Sequence, residues 1–470
     1  MTGAPRLSVI DWAAFERPVT FRFPFRFGAA EVAAAPQAFV RVTVKDSEGR
    51  CAEGWAAEMM MPRWFDKSPE LSVAQNIDQL RCALRLGLKA LSASGTDTAF
   101  GLHARTQADH YQACSAMGLN GLIASFGLAL ADRAVLDALC KLAGVPAIVA
   151  LHANLPGMDT RTTPDLAGFD LDRFLAQRPA PDSIAARHTV GLGDALEAAE
   201  IETPLYDGLP QSLDQVIAAY GHRYFKLKLA GDPQADLSRL TRIVGVLDKY
   251  APGYRATLDG NEQYAGIAPL AELLDGIATR PALSSLHDGL LFVEQPIARA
   301  HALDTDVSAL AARVALEIDE SDADIDAFPQ AQRLGYTGVS SKSCKGFYRA
   351  LLNAARVAKQ GGLFLSAEDL TVQPGLALQQ DLILAAATGN SHVERNGHHF
   401  AGGMGQATVA EQTRYASAHP DLYHMQQGQT RLRIKDGHIA LGSTFAAIGL
   451  GCAMTPETGT LQPLQESAAP

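Results

Sequence analysis

The 470-residue chain contains no apolar run approaching the roughly 20 residues needed to cross a bilayer. Its first six residues, Met1 to Arg6, offer no basic stretch leading into an apolar core, so no secretory leader is expected there. Cysteine is scarce. The six thiols, Cys51, Cys82, Cys114, Cys140, Cys344 and Cys452, form no CxxC pair, which excludes a disulfide framework and the usual zinc patterns. They are expected to be buried and reduced in a cytoplasmic protein. Basic charge is in deficit, with 40 Lys+Arg against 51 Asp+Glu and a formal net charge of −11. No nucleic-acid or anionic-membrane partner is therefore expected, since either would need basic surface. Low-complexity tracts and internal sequence repeats are also missing. Core-forming residues are plentiful: 47% hydrophobic and 19% charged residues exclude disorder and suffice for two or three domains.

The first 65 residues read as β-rich. Val40, Val42 and Val44 alternate with Arg41, Thr43 and Lys45, the period of a half-buried strand, and Asp46 to Gly49 supply turn chemistry before a return strand over 51–57. A helix follows, with Ser68 as its expected cap, Pro69 in its first turn, and an apolar face of Val73, Ile77, Leu80, Leu84, Leu88 and Leu91. A second helix is expected over 126–142, ending before Gly144. Sheet followed by helices makes this an α+β unit.

From residue 183 onward short apolar strands alternate with helical segments. The strands are expected at 184–189, 224–228, 254–258, 290–293, 314–318, 338–341, 363–366 and 391–393. The helix after the second begins at Asp232-Pro233 and buries Leu237, Leu240, Val244 and Leu247. Eight strands joined by helices suggest a closed barrel, with a doubly wound open sheet as the alternative. Residues 156–181 read as a connection, and 431–440 as a hairpin turning at Asp436-Gly437.

In a parallel barrel, chemistry collects where strands end. Here the second strand ends in Lys226-Leu-Lys228, the third in Asp259-Gly-Asn261 and the fourth in Glu294-Gln-Pro296. The fifth ends in Asp319-Glu320-Ser321 and the sixth in Lys342. The two-residue period puts Lys226 and Lys228 on one face, and Asp259 and Asn261 on one face. If that face is the barrel mouth, Asp259, Glu294 and Asp319 converge and require a compensating cation. Oxygen-only ligation favours Mg²⁺.

These motifs in this order resemble the enolase superfamily, in its mandelate-racemase/muconate-lactonizing branch and nearest the two-lysine subgroup. The N-terminal Phe23 to Phe27 stretch and Gly54-Trp-Ala-Ala-Glu58 resemble that family's cap. The resemblance implies a modified TIM barrel, (β/α)7β, under an N-terminal α+β capping domain. The corresponding division is a cap over 1–150, a connection over 151–182, the barrel over 183–415, and a C-terminal segment, 416–470, returning to the cap. It also implies one Mg²⁺ on Asp259, Glu294 and Asp319, with Asn261 and Glu320 as supporting partners. The implied reaction is removal of a proton α to a substrate carboxylate through an enediolate, with a Lys or His base beside the metal. Lys228 and Lys342, reaching opposite faces of the α-carbon, are the expected bases, and Lys226 is expected to balance charge or hold the substrate carboxylate. Like-charge repulsion from Lys226 would lower the pKa of Lys228. A lysine on each face points to a racemase or epimerase. An acid dehydratase, an ammonia lyase or a cycloisomerase could run on the same site, and a decayed barrel that only binds is the non-enzyme alternative.

For the substrate, a small-molecule carboxylate, the expected contacts are Arg187 and His188 at the end of the first strand, Glu394 at the eighth, and Trp64 and Phe65 in a lid over 59–65. Arg63, Arg187 and Arg395 are possible partners for a second carboxylate. Glu317 and Glu368 have no expected role, Lys345 is placed on the following loop, and a homo-oligomer is expected. His398-His399 is not expected to bind metal, since no carboxylate or Cys nearby completes a zinc set.

Overall fold

The Val40–Val42–Val44 alternation builds β2 (Ala30–Asp46), the middle of an antiparallel sheet flanked by β1 (Leu7–Phe27) and β3 (Cys51–Met59). All three valines are buried. This is a computed structural model, describing residues 3–27 and 30–466. Helices α1 (Val73–Ala93), α2 (Ala99–Ala116) and α3 (Gly121–Ala143) pack together, α1 and α3 lie on the sheet, and α3 stops at Gly144 in the left-handed region. Ser68 does not cap α1. Ser72 does, in a reciprocal capping box with Gln75, so Val73 becomes the first helical residue and is exposed. Helix α2 was not anticipated, because its buried side includes His103, Thr106 and His110 and so shows no apolar stripe.

After α4 (Ala147–His152) and α5 (Leu171–Ala176) come eight parallel strands. They are β4 (Ser183–Val190), β5 (Tyr224–Lys228), β6 (Arg255–Asp259), β7 (Leu290–Glu294), β8 (Leu316–Ile318), β9 (Gly338–Ser341), β10 (Phe364–Ala367) and β11 (His392–Glu394). Ladders run in the order β10-β9-β8-β7-β6-β5-β4-β11, and β10 and β11 lie side by side to complete the curl. Helices lie between successive strands: α6 (Leu213–Tyr220), α7 (Pro233–Tyr250), α8 (Ile267–Thr279) with α9 (Ser284–Gly289), and α10 (Arg299–Ala302) with α11 (Ser308–Ala311). The series closes with α12 (Ala327–Arg333), α13 (Phe347–Gln360) and α14 (Leu376–Ala387), leaving β11 as the eighth strand, followed by the short α15 (Gly397–Phe400) and by α16 (Val409–Ala418). This is the modified barrel with an α+β cap. The α7 face forms as patterned: Asp232 caps the helix, and Leu237, Leu240, Val244 and Leu247 are buried.

The expected 431–440 hairpin forms only as a turn. Asp436 and Gly437 adopt positive φ (50° and 75°), and Lys435 bridges His438. The two arms then part: Gln429–Leu432 pairs with Tyr423–Gln426, whereas His438–Ala440 pairs antiparallel with the start of β4. The reason is an open edge. β5 pairs with β4 only from Arg187 onward, so the edge at Ser183–Ala185 is free for His438–Ala440, which buries Ile439 there. Farther on, Gln462–Pro463 adds to β1 at Phe15–Glu16. No described helix is long and apolar enough to cross a membrane.

Candidate active site

Alternation along the strands decides which side chains enter the barrel. On β5, Lys226 sits one layer below Lys228; register then pairs Lys228 with Asp259, Asp259 with Glu294, and Glu294 with Glu317. Asp319, two residues beyond Glu317, returns to the mouth. All of these groups are buried.

Lys226 is the hub. Its Nζ lies 2.9 Å from Asp259, 2.6 Å from Glu294, 2.9 Å from Glu368 and 2.9 Å from Glu394. Burial opposes its charge, but those four carboxylates outweigh burial and hold it well above the ordinary lysine range. The two outer lysines stand on either side. Lys228 donates to Asp259 Oδ2 at 2.6 Å and to Asn261 Oδ1 at 2.7 Å. Lys342 donates to Asp319 Oδ2 at 2.5 Å and lies 2.8 Å from Glu368. Its pKa is also raised, Asp319 and Glu368 outweighing burial. Strands β6, β7 and β8, which bring Asp259, Glu294 and Asp319, lie between the two lysine-bearing strands.

The carboxylates that could share a cation are Glu294, Asp319 and Glu368, each offering an oxygen within 4.8 Å of the others. Asp259 is adjacent but occupied: its Oδ2 faces Lys226 and Lys228, and its Oδ1 accepts the Asn261 amide at 2.8 Å. Burial, then Asp259 and Glu368, push the Glu294 carboxyl well above its usual range. Glu294 Oε2 and Asp319 Oδ1, both buried, face lysine amines, Lys226 at 2.6 Å and Lys345 at 3.0 Å. An oxygen-only set with no Cys or His fits a hard divalent cation.

Glu368 is the largest addition to the sequence reading. It follows the seventh strand by the same strand-end rule that selected the other residues, and it links Lys226, Lys342 and Arg187. Gln295 also emerges, because its Oε1 accepts the amides of Asp319 (2.8 Å) and Ser321 (3.1 Å) while its Nε2 donates to Ser321 Oγ (2.8 Å). The glutamine of the fourth-strand motif thus braces the fifth-strand motif. Lys345 is on the loop as expected, but its Nζ reaches back to Asp319 Oδ1 at 3.0 Å. Glu317 accepts from Ser366 Oγ at 3.0 Å on the floor of the layer, and burial and Glu368 push its carboxyl well above the usual carboxylate range.

A small, partly open cavity lies over this layer. Lys228, Lys342, Asn261, Glu394, Thr371 and Asn396 give it polar walls, and Phe25, Met61, Trp64 and Leu370 give it apolar ones. The Trp64 ring centroid is 4.9 Å from Lys342 Nζ. Phe65 instead packs inward on Trp64 and Phe126. Arg187 does not reach the cavity either, since it is fully buried between Glu368 (2.8 Å) and His392 Nδ1 (2.7 Å). His188, one residue on, faces the opposite way, out of the barrel among other histidines. Arg63 donates to Ser68 O, and Arg395 is paired with Asp381 and Asp369, so neither is free for a second carboxylate. Of the expected substrate contacts, Glu394 and Trp64 line the cavity.

The lid is held by groups that carry no motif. Arg299 donates to the carbonyls of Trp64 (2.9 Å) and Phe65 (3.0 Å) while pairing with Glu262 (2.8 Å). Lys67 donates to Asn261 O at 3.1 Å and pairs with Glu262. Glu320 accepts from Asn261 Nδ2 at 3.3 Å and lies 3.5 Å from Lys67.

Residues 209–458 match a family model described as enolase C-terminal domain-like. No curated protein matches the chain. Among solved structures, a putative mandelate racemase/muconate lactonizing enzyme from Roseovarius nubinhibens superposes with a TM-score of 0.59 at 16% identity, over 98% of both chains. The muconate lactonizing enzyme of Pseudomonas fluorescens, complexed with muconolactone, gives 0.60 at 16%, over 96% of this chain and 98% of its own. A Bradyrhizobium enolase complexed with magnesium and mandelic acid gives 0.59 at 15%, over 98% of both. At such identities the likeness is one of fold.

Proposed function

Taking as premise that the chain belongs to the enolase C-terminal domain-like family, we propose that it is an Mg²⁺-dependent enzyme removing a proton α to a carboxylate, as a racemase or epimerase. The placement of Lys228 and Lys342 carries this reading: both line one cavity, on strands that flank the carboxylate-bearing ones. A flat substrate between them presents one face to each amine. Either lysine, once neutral, can take the α-proton, and the other, as an ammonium, can deliver one to the opposite face.

Asp259, Glu294 and Asp319 are the proposed ligands, with Glu368 as a fourth carboxylate in position to replace Asp259. Mg²⁺ there would supply positive charge to the substrate carboxylate, against which the negative charge developing at the α-carbon is stabilised. Asn261 holds the Lys228 ammonium beside Asp259. Phe25, Met61 and Trp64 keep water away, which strengthens every charge interaction beneath them.

Incubating the enzyme and Mg²⁺ with a library of carboxylates in D₂O, then reading α-deuterium by mass spectrometry, tests the reaction. Deuterium in both enantiomers supports racemisation. Loss of water or ammonia, or ring closure, would move the reading to a lyase or cycloisomerase, for which the muconolactone-bound relative provides precedent. Mg²⁺ affinity measured by calorimetry tests the ligands: Glu294→Gln is expected to weaken it most, and Glu368→Gln as much as Asp259→Asn. Absence of specific Mg²⁺ binding to the wild-type chain would indicate a decayed site.

A further inference from the structure

Behind the eighth strand, outside the barrel, lies a second cluster of metal-ligating side chains. His188 projects outward from β4, His222 precedes β5, and His398 lies on α15, which follows β11. Each offers a ring nitrogen within 4.8 Å of the others, and all three are buried, 3%, 0% and 4% exposed. Ring centroids are 5.4 Å apart for His188–His222, 5.9 Å for His222–His398 and 6.2 Å for His188–His398.

Their hydrogen bonding is incomplete. His222 Nδ1 donates to the Ala186 carbonyl at 2.9 Å, which fixes the tautomer and leaves Nε2 as a lone pair. That Nε2, His188 Nδ1 and both nitrogens of His398 have no partner among the described residues. An unsatisfied buried polar atom ordinarily costs about 1–3 kcal/mol, so four on three neighbouring rings, each ring offering one nitrogen to the cluster, call for a ligand.

We propose that His188, His222 and His398 form a structural site for a transition-metal ion of the Zn²⁺ type, separate from the carboxylate layer inside the barrel. Imidazole suits Zn²⁺, whereas the oxygen-only set inside suits Mg²⁺, so ligand chemistry sorts the two ions. His222 shows the arrangement expected of such a ligand, with one nitrogen tied to a backbone carbonyl and the other free to coordinate. A fourth imidazole lies beside the cluster but outside it: His399, with its ring 5.1 Å from His188 and a buried, unpartnered Nδ1. The nearby cations are already neutralised, Arg22 by Asp207 and Arg395 by Asp381 and Asp369. The cluster carries no local sequence pattern, because the fold brings the other two imidazoles to His398 from distant stretches. An ion there would tie β4 to α15. Asn396, immediately before α15, lines the cavity, and His399 and Phe400 pack on Phe23 of the cap.

The test uses the full chain, stripped with chelator and held in a large excess of Mg²⁺ to occupy the inner site. One Zn²⁺ per chain is expected by equilibrium dialysis. Co²⁺ in its place is expected to give the intense visible absorption of a tetrahedral nitrogen-rich site, not the weak band of octahedral oxygen ligation. His222→Asn and His398→Asn should each lower Zn²⁺ affinity at least tenfold and abolish the Zn²⁺-dependent rise in Tm, while Glu294→Gln keeps both. Wild-type protein that takes up no Zn²⁺ under Mg²⁺, or shows only the octahedral Co²⁺ spectrum, would overturn the proposal even if the histidine variants fail to fold. So would uptake that Glu294→Gln removes.

Discussion

At the scale of single residues, Lys228 and Lys342 are distinguished by their partners, Asp259 with Asn261 for one and Asp319 with Glu368 for the other. Removing either should stop racemisation while leaving solvent exchange of the enantiomer that faces the survivor. Loss of a general base costs about 10²–10⁴-fold, so NMR-monitored exchange of each enantiomer will show the asymmetry, and wild-type exchange of both in Lys342→Ala would remove that lysine from the mechanism. His392 supports a prediction of another kind. It accepts a hydrogen bond from Arg187, and burial, followed by that guanidinium, brings its pKa down to about 3. The unfolded chain therefore binds a proton below its unfolded pKa of about 6.5 that the fold refuses. This contribution to stability is complete above that pH and falls away toward pH 3. His392→Asn, which can still accept from Arg187, should flatten unfolding free energy against pH by about 1.4 kcal/mol per unit between pH 4 and 6 in urea titrations. The strand-end residues were legible because each βα unit announces its own boundary. The roles of Arg187 and His188 were not, since facing the cavity, the floor or the outside is a matter of register, and the boundary alone does not set it.

At the scale of elements, the lid over 59–65 gives the cavity its apolar wall through Met61 and Trp64, yet its position depends on Arg299 at the start of α10. Arg299→Ala deletes two hydrogen bonds to lid carbonyls and leaves Glu262 paired with Lys67 alone. The expected result is a several-fold rise in KM with Mg²⁺ affinity unchanged, measured by steady-state kinetics beside calorimetry; unfolding on substitution would make the segment structural packing instead. The barrel strands and α7 could be read from periodicity alone. Helix α2 could not, because buried histidines and a threonine dilute its apolar signal, and the arms at Asp436-Gly437 pair with strands far away in sequence.

At the scale of the whole molecule, distant parts of the chain meet in buried ion pairs. Arg17 of β1 holds Glu411 through two hydrogen bonds, 3.1 and 2.7 Å, and both residues are buried. Arg17→Leu would leave that carboxylate buried and unpaired, at a cost of about 3–5 kcal/mol, visible in urea unfolding monitored by tryptophan fluorescence. Replacing both residues with apolar ones should recover much of the loss. This coupling carries no sequence signal, since a pair 394 residues apart leaves no pattern in either neighbourhood.

The same pair has a consequence for how the protein is made. Translation proceeds at about 5–20 residues per second, so the 394 residues between Arg17 and Glu411 take roughly 20–80 s to synthesise. Through that interval β1 awaits its ion-pair partner, and the open edge of β4 awaits His438–Ala440, which is made later still. The nascent chain must therefore carry an unfinished cap and an unpaired barrel edge on the ribosome. This is the period in which chaperone engagement would most affect yield, and slowing elongation late in the message should lengthen it.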